Sequence, residues 1–239
     1  MKATFSLLIV ALLFQGCTRH ESRPASPAPE GSVLIEVSGG KQIGVTGTEL
    51  GQPIVIQVND KQGVPIKDAP VSLSGVTGVT FMPQQGVSDL SGQFTATVRV
   101  GETSGRYILI ASSYDAHGTP LVLKLEEVAL GWQQTRGRDI AHTYCDRCHD
   151  PESSAERVSN HDNLDPKPHA FSEGEFLNRI SAADLSNIVS HGGPALGKSA
   201  EMPPYEYTLS KGDIEAVMSY IRAIADPPFH SPGVVYAQK

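Results

Sequence analysis

The sequence predicts two folded parts of different class: an all-β antiparallel sandwich, then an all-α domain. Three observations carry this. From Ser32 to about Val128, apolar residues recur at every second position between clusters of Gly, Pro, Asn and Asp, the pattern of short strands and turns. After Leu130 the apolar spacing becomes that of helices, three to four residues apart. The three cysteines, at positions 17, 145 and 148, all lie outside the β region, so its core must hold by burial alone. At 239 residues, 39% hydrophobic and 19% charged, the chain has material for two modest domains.

The chain starts MKATFSLLIVALLFQGC, with Lys2 before an apolar run from Phe5 to Phe14 and a small residue before Cys17. A basic start, an apolar segment too short for a permanent span and a processing site predict a signal peptide over residues 1–17. Leu13, Gly16 and Cys17 resemble the lipobox of bacterial lipoproteins, from whose commonest form Phe14 and Gln15 depart. That resemblance implies an acylated Cys17 at the mature N-terminus. Several acyl chains on one residue anchor a soluble body firmly, where one chain binds marginally. Residues 18–32, TRHESRPASPAPEGS, have no hydrophobic periodicity and read as an extended tether. Everything beyond is expected outside the cytoplasm, held to a bacterial membrane and facing the periplasm or the cell surface. The net charge of −7 argues against nucleic acid as a partner, since phosphates demand a basic face.

Seven strands are expected at 33–37, 53–60, 69–75, 78–82, 92–100, 105–113 and 120–128, with turn signals such as NDKQG and SDLSG between them. The expected core is Ile54, Ile56, Val58, Leu73, Phe81, Phe94, Ile108 and Ile110. Seven short strands in roughly a hundred residues fit an immunoglobulin-type sandwich. VNDKQGVPIKDAPVSLSG and VSDLSGQFTATVRVGETSGRYILIASS resemble the bacterial Ig-like domains of invasin-type surface proteins, over about residues 45–128. The resemblance implies a fold and no activity, so residues 33–128 are expected to serve as spacer or docking module. His117, in YDAHGTP, reads as an exposed turn residue.

In the second part, GWQQTRGRDIAHTYCDRCH has Gly137, Ile140, Ala141 and Tyr144 at helical spacing. Short helices are expected over 173–180 and 182–192, the latter stopped by Gly192 and Gly193. A last helix, 210–225, opens with Ser210 as N-cap and Asp213 completing a capping box. Its apolar stripe is Ile214, Val217, Met218, Ile221 and Ile224, and Pro227 and Pro228 end it before a tail over 227–239. The segment 150–171 has little structure of its own, and a connection that long normally wraps something. The join VALGWQQ leaves little linker freedom, and Trp132 is expected to pack at the boundary.

The chemistry lies in CDRCH, residues 145–149. Cys-x-x-Cys-His is the attachment signature of c-type haem. Thiols three residues apart at a helix end can add to the two vinyl groups of one porphyrin edge, and His149 then lies over the iron as proximal ligand. A zinc site would want a second ligand pair, and the chain has none. A redox dithiol would follow a strand in a βαβ unit. With Cys17 lipidated and Cys145 and Cys148 in thioethers, no thiol is left over. For the opposite face of the iron, Met202 stands before Pro203 and Pro204, which stiffen its loop. His169 and His191 are the alternatives, and His142, His161 and His230 read as solvated.

The order helix, CDRCH, long loop with NLDPKPHAF, short helices, MPPY and a final helix with YIRAI resembles a class I cytochrome c domain over about residues 131–226. The resemblance implies that Gly137 and Tyr144 meet Tyr220 and its neighbours, and that Leu164 and the segment Pro166–Pro168 wall the haem. Asp150 and Pro151 follow His149 where many members have Gly and then Gly-Pro-x-Leu. The sequence therefore leaves open which backbone carbonyl accepts the His149 Nδ1 proton. Iron held by His149 and Met202 has no open position for substrate, which leaves one-electron transfer rather than catalysis. The expected function is a membrane-anchored extracytoplasmic carrier with one haem c, exchanging electrons with redox partner proteins. Its rivals are the electron-accepting subunit of a larger oxidoreductase, a sensor or peroxidase in which Met202 dissociates, and a surface adhesin.

Overall fold

A computed structural model describes residues 31, 33–115, 117–152, 154 and 157–230. The expected signal peptide with Cys17, the tether up to Glu30 and the tail from residue 231 lie outside the described residues. No helix among the described residues is long and apolar enough to cross a membrane.

The first part is an immunoglobulin-like sandwich. One sheet has the order β1 (Val33–Ser38), β3 (Ile54–Asn59), β7 (Gln93–Arg99), β5 (Thr80–Met82). The other has β2 (Ile43–Val45), β9 (Pro120–Leu130), β8 (Gly105–Tyr114), β4 (Pro70–Gly75), β6 (Gln85–Val87). All pairs are antiparallel except β2, which runs parallel to β9. The seven expected strands are present. β2 and β6 were not expected, because IGV and QGV are centred on glycine and stand in no longer apolar run, whereas the equally short β5 lies within GVTFM.

Ile54, Ile56, Val58, Leu73 and Phe94 are buried as expected, and Phe81 packs partly buried against them. The phase of β8 differs from expectation. Tyr107, Leu109 and Ala111 point inward, whereas Ile108 is 37% exposed and Ile110 only half-buried. YILIA is apolar at both parities, so alternation cannot choose a face. The choice is made by the partner strand, which sets Leu109 opposite Leu125 and Ala111 opposite Leu123. The Tyr107 hydroxyl also donates to the Thr103 carbonyl at 2.5 Å, the tyrosine corner of such sandwiches. His117 is exposed in its turn, as expected.

The second part has α1 (Trp132–Tyr144), α2 (Asp146–His149), α3 (Gly174–Leu177), α4 (Ala182–His191) and α5 (Lys211–Ile224). Helix α5 starts at the expected capping box, with the Ser210 hydroxyl accepting from Asp213 N and the Asp213 carboxylate from Ser210 N. It buries Ile214, Val217, Met218 and Ile221. Its partner α1 reaches it through Gly137, where a Cβ would lie 2.0 Å from the Ala216 carbonyl oxygen and 2.9 Å from Tyr220 Cβ. Only glycine permits that approach.

The two parts meet in a packed seam. Val128 and Leu130, at the end of β9, belong to the hydrophobic core of the helices. Trp132 does not fill the boundary: it is 79% exposed, at the first position of α1. The boundary is closed instead by Val128, Leu130 and the long side chain of Arg106, which lies opposite Val128 in the β8–β9 ladder.

Candidate functional site

CDRCH sits where α1 breaks. Cys145 is both the last cap of α1 and the first of α2, and its carbonyl accepts from Cys148 N and His149 N at 3.0 Å each. A single turn then carries both thiols and the imidazole to one cavity. The cavity measures about 250 Å³, and Cys145, Cys148, His149, Leu164, Pro166, Pro168, His169 and Met202 all line it. The remaining wall is mostly apolar and includes Phe171, Phe176, Leu185, Ile188, Val217 and Ile221.

His149 is held on three sides. Its Nδ1 lies 2.7 Å from the His169 carbonyl oxygen, its ring stacks flat on Phe171 (4.9 Å between centroids, 5° between planes), and its own carbonyl accepts from Phe171 N at 3.3 Å. The carbonyl left open by the sequence is therefore that of His169. With Nδ1–H donating there, the Nε2 lone pair is free for a metal. Burial is the main cause lowering the His149 pKa, which favours the neutral imidazole. Burial also pushes the Cys145 thiol up to about 12 and the Tyr205 hydroxyl up to about 12.

The long connection does wrap the cavity, and it is tied to the CDRCH turn. Asn160 N donates to the Arg147 carbonyl at 2.7 Å, Ser159 Oγ to the Asp150 carbonyl at 2.6 Å, and Arg157 to the Asp146 carbonyl at 3.1 Å and the Asp150 carboxylate at 2.5 Å. Asp150, where many cytochromes have glycine, is thus an anchor for this loop.

Met202 is partly buried against the helical core. Gly193 N donates to its carbonyl at 3.0 Å, and a Cβ on Gly192 would come within 2.6 Å of the same oxygen. Gly192 and Gly193 therefore do more than stop α4: they let the Met202 loop lie directly on the helix end. Tyr205 completes the anchor, with its N–H on the Ser190 carbonyl at 2.9 Å and its hydroxyl on the Tyr144 carbonyl at 2.9 Å.

Several sequence expectations are corrected. His191 does not line the cavity; its Nε2 faces Glu206 at 3.2 Å and its Nδ1 faces Asn187. The His169 ring lies in the cavity wall, stacked on Phe176 at 3.7 Å and bonded to Glu173 at 2.9 Å. Gly137 meets Tyr220 as expected, whereas Tyr144 pairs with Tyr205 (6.2 Å); His142 is exposed as expected, yet meets Tyr220 edge-on (6.4 Å) and faces Asp146 at 3.5 Å. The His161 side chain is 14% exposed beside Asp162, not solvated, whereas His230 is exposed. Phe171 was not anticipated as a site residue; the signal was its place two residues after His169 in the loop that had to wrap something.

Covalent c-type haem attachment uses two thiols followed by a histidine ligand, within apolar walls, and the residues lining this cavity supply these groups. Comparison with known proteins agrees for this half. Residues 133–221 match the family model of cytochrome c oxidase, cbb3-type, subunit III. No curated protein matches the chain. Among solved structures, matches include the D00-D0 domain of intimin (16% identity, 43% of this chain, 48% of that one, TM-score 0.32). The adhesin InvE of Yersinia pseudotuberculosis (14%, 42% and 32%, TM-score 0.32) and invasin, a bacterial integrin-binding protein (17%, 41% and 19%, TM-score 0.31), also match. The chain spans about half the length of the first of these, or less of the others. The described structure is thus an Ig-like sandwich followed by a helical region matching a cytochrome c domain, which implies haem c and an electron-transfer role.

Proposed function

We propose that this chain is a membrane-anchored, extracytoplasmic c-type cytochrome that carries single electrons through one covalently held haem. The observation that supports it best is the convergence of Cys145, Cys148, His149 and Met202 on one apolar cavity. In this reading Cys145 and Cys148 would hold the porphyrin as thioethers, and His149 and Met202 would supply the ligands to its iron. When bound, the haem supplies a one-electron ferric/ferrous couple. The protein contributes orientation and exclusion of water. The His169 carbonyl fixes the imidazole tautomer, Phe171 fixes the ring plane, and the apolar wall disfavours the more highly charged oxidation state. Cys17 carries the lipid, redox proteins outside the cytoplasm are the partners, and the sandwich is a spacer or docking module.

Met202→Ala tests the ligand set. The haem stays attached through Cys145 and Cys148, the midpoint potential falls, and carbon monoxide binds the reduced protein. An unchanged potential and spectrum would remove Met202 from the ligand set and make His169 the next residue to replace. A second reading is that the chain is the electron-accepting subunit of a larger oxidoreductase, favoured by the family model, whose description is that of an oxidase subunit. Co-purification of a stoichiometric partner from native membranes supports that reading; a monodisperse single chain there supports the free carrier.

A further inference from the structure

Helix α5 ends without a cap of its own. The last carbonyls of any helix have no intrahelical partner and form its partly negative end. At Ala225 the backbone turns extended (φ −56°, ψ 134°). The missing donor comes from the other domain. Arg106 of β8 pairs with Glu126 of β9 through Nη1 and donates to the Ala225 carbonyl through Nη2, and that same nitrogen lies 3.5 Å from the Ala223 carbonyl. Its side chain is only 21% exposed, so these contacts are shielded in a way that the exposed Lys41–Asp226 pair (3.4 Å) is not.

The contacts continue from there toward the cavity. Asp226 N donates to the Ser172 carbonyl at 2.8 Å and Gly174 N to the Asp226 carbonyl at 3.1 Å, which zips residue 226 onto segment 172–174. A Cβ on Gly174 would lie 1.9 Å from the Pro227 carbonyl oxygen, a measure of how closely the two backbones meet. The same segment follows His169 and Phe171 directly, and Glu173 grips the His169 ring at 2.9 Å. His169 and Phe171 orient His149.

We propose that Arg106 is a positioning residue for His149: by holding the end of α5 it fixes residue 226, hence segment 172–174, hence the carbonyl and ring that orient the imidazole. The sandwich is then part of the cofactor site and not a passive spacer. The consequence for the potential rests on the proposed haem reading; the mechanical coupling does not.

The test uses the full chain, haem-loaded, as wild type, Arg106→Ala and Arg106→Lys. Amide exchange in Arg106→Ala should rise about tenfold or more at Phe171, Gly174 and Asp226, the size of one lost charge-assisted hydrogen bond. Strands β3 and β7 should stay protected, and the midpoint potential should fall. Arg106→Lys should be intermediate, because an ammonium cannot serve Glu126 and two carbonyls as a fork. If Arg106→Ala does not accumulate as folded protein, Arg106→Lys decides alone: wild-type exchange at residues 171–174 overturns the proposal. A rise confined to residues 126–130 and 223–225, with the potential unchanged, also overturns it. Should the chain carry no haem, the functional reading fails, while the exchange comparison still decides the coupling.

Discussion

The sandwich and the helical half are built to different degrees of completeness. The sandwich closes on itself. Nine strands among the described residues pair in two sheets, and Ile54, Ile56, Leu73, Leu109 and Val98 are essentially inaccessible to solvent. The helical half has two substantial packed helices, α1 and α5, a shorter α4, and a hollow of about 250 Å³ between them. It also draws Val128 and Leu130 from β9 and a helix cap from Arg106. A domain with an apolar hollow at its centre is one that expects a ligand there. The difference shows why a motif of five residues can govern a hundred: it secures the object around which the rest packs.

The largest expected effect follows from that hollow. At about 24 cal/mol per Å³, an unfilled cavity of 250 Å³ costs about 6 kcal/mol, an upper figure because its mouth is open. That rivals the whole stability of a small domain. Cys145→Ser with Cys148→Ser should therefore abolish covalent haem, seen by haemochrome spectroscopy. Most helical circular dichroism should go with it, while the β signal keeps a cooperative thermal transition. Loss of both signals together would show the sandwich to be as dependent as the helices.

The converse change sits in the sandwich. Leu109 has no exposed surface and packs within the β core. Leu109→Ala should cost about 2–5 kcal/mol of sandwich stability by denaturant titration, with the haem spectrum of the folded protein unaltered. A spectral change at low denaturant would mean that the seam transmits more than α5 position.

The third effect is a pH dependence. Glu127 on β9 has no solvent exposure; its Oε2 accepts from Gln42 N at 2.6 Å, and its Oε1 has no hydrogen-bond partner among the described residues. Burial, with Glu36 and Glu126 adding to it, raises its pKa to about 8. Its folded pKa thus exceeds its unfolded one, so its contribution is fully present below the unfolded value of about 4.5 and is lost as pH rises through about 8. Sandwich stability should decline between pH 5 and pH 9 by an amount on the order of a few kcal/mol, and Glu127→Gln should flatten that slope. An equal slope in both proteins would assign the dependence elsewhere.

Much of this was legible in the residues because the relevant physics is local. An apolar, β-branched-rich run of five or more residues marks a strand, so β1, β3, β4, β5, β7, β8 and β9 were readable, whereas the glycine-centred β2 and β6 were not. Cys-x-x-Cys-His is a local constraint, since one turn of helix sets the spacing of all three side chains, and Ser210 with Asp213 marks a helix start for the same reason. Other decisions needed the folded chain because they depend on neighbours distant in sequence. Which face of YILIA turns inward was decided by Leu123 and Leu125 across the ladder. Glu127, fully buried, could be told from Glu126, half-buried and paired with Arg106, only by that same register. The carbonyl under His149 comes from 20 residues away, and the cap on α5 from a residue 119 positions earlier. The amino-acid sequence by itself determined the two classes of structure and the group that can hold a haem. Tertiary packing decided how that group is aimed, because orientation is set by contacts whose partners no local pattern names.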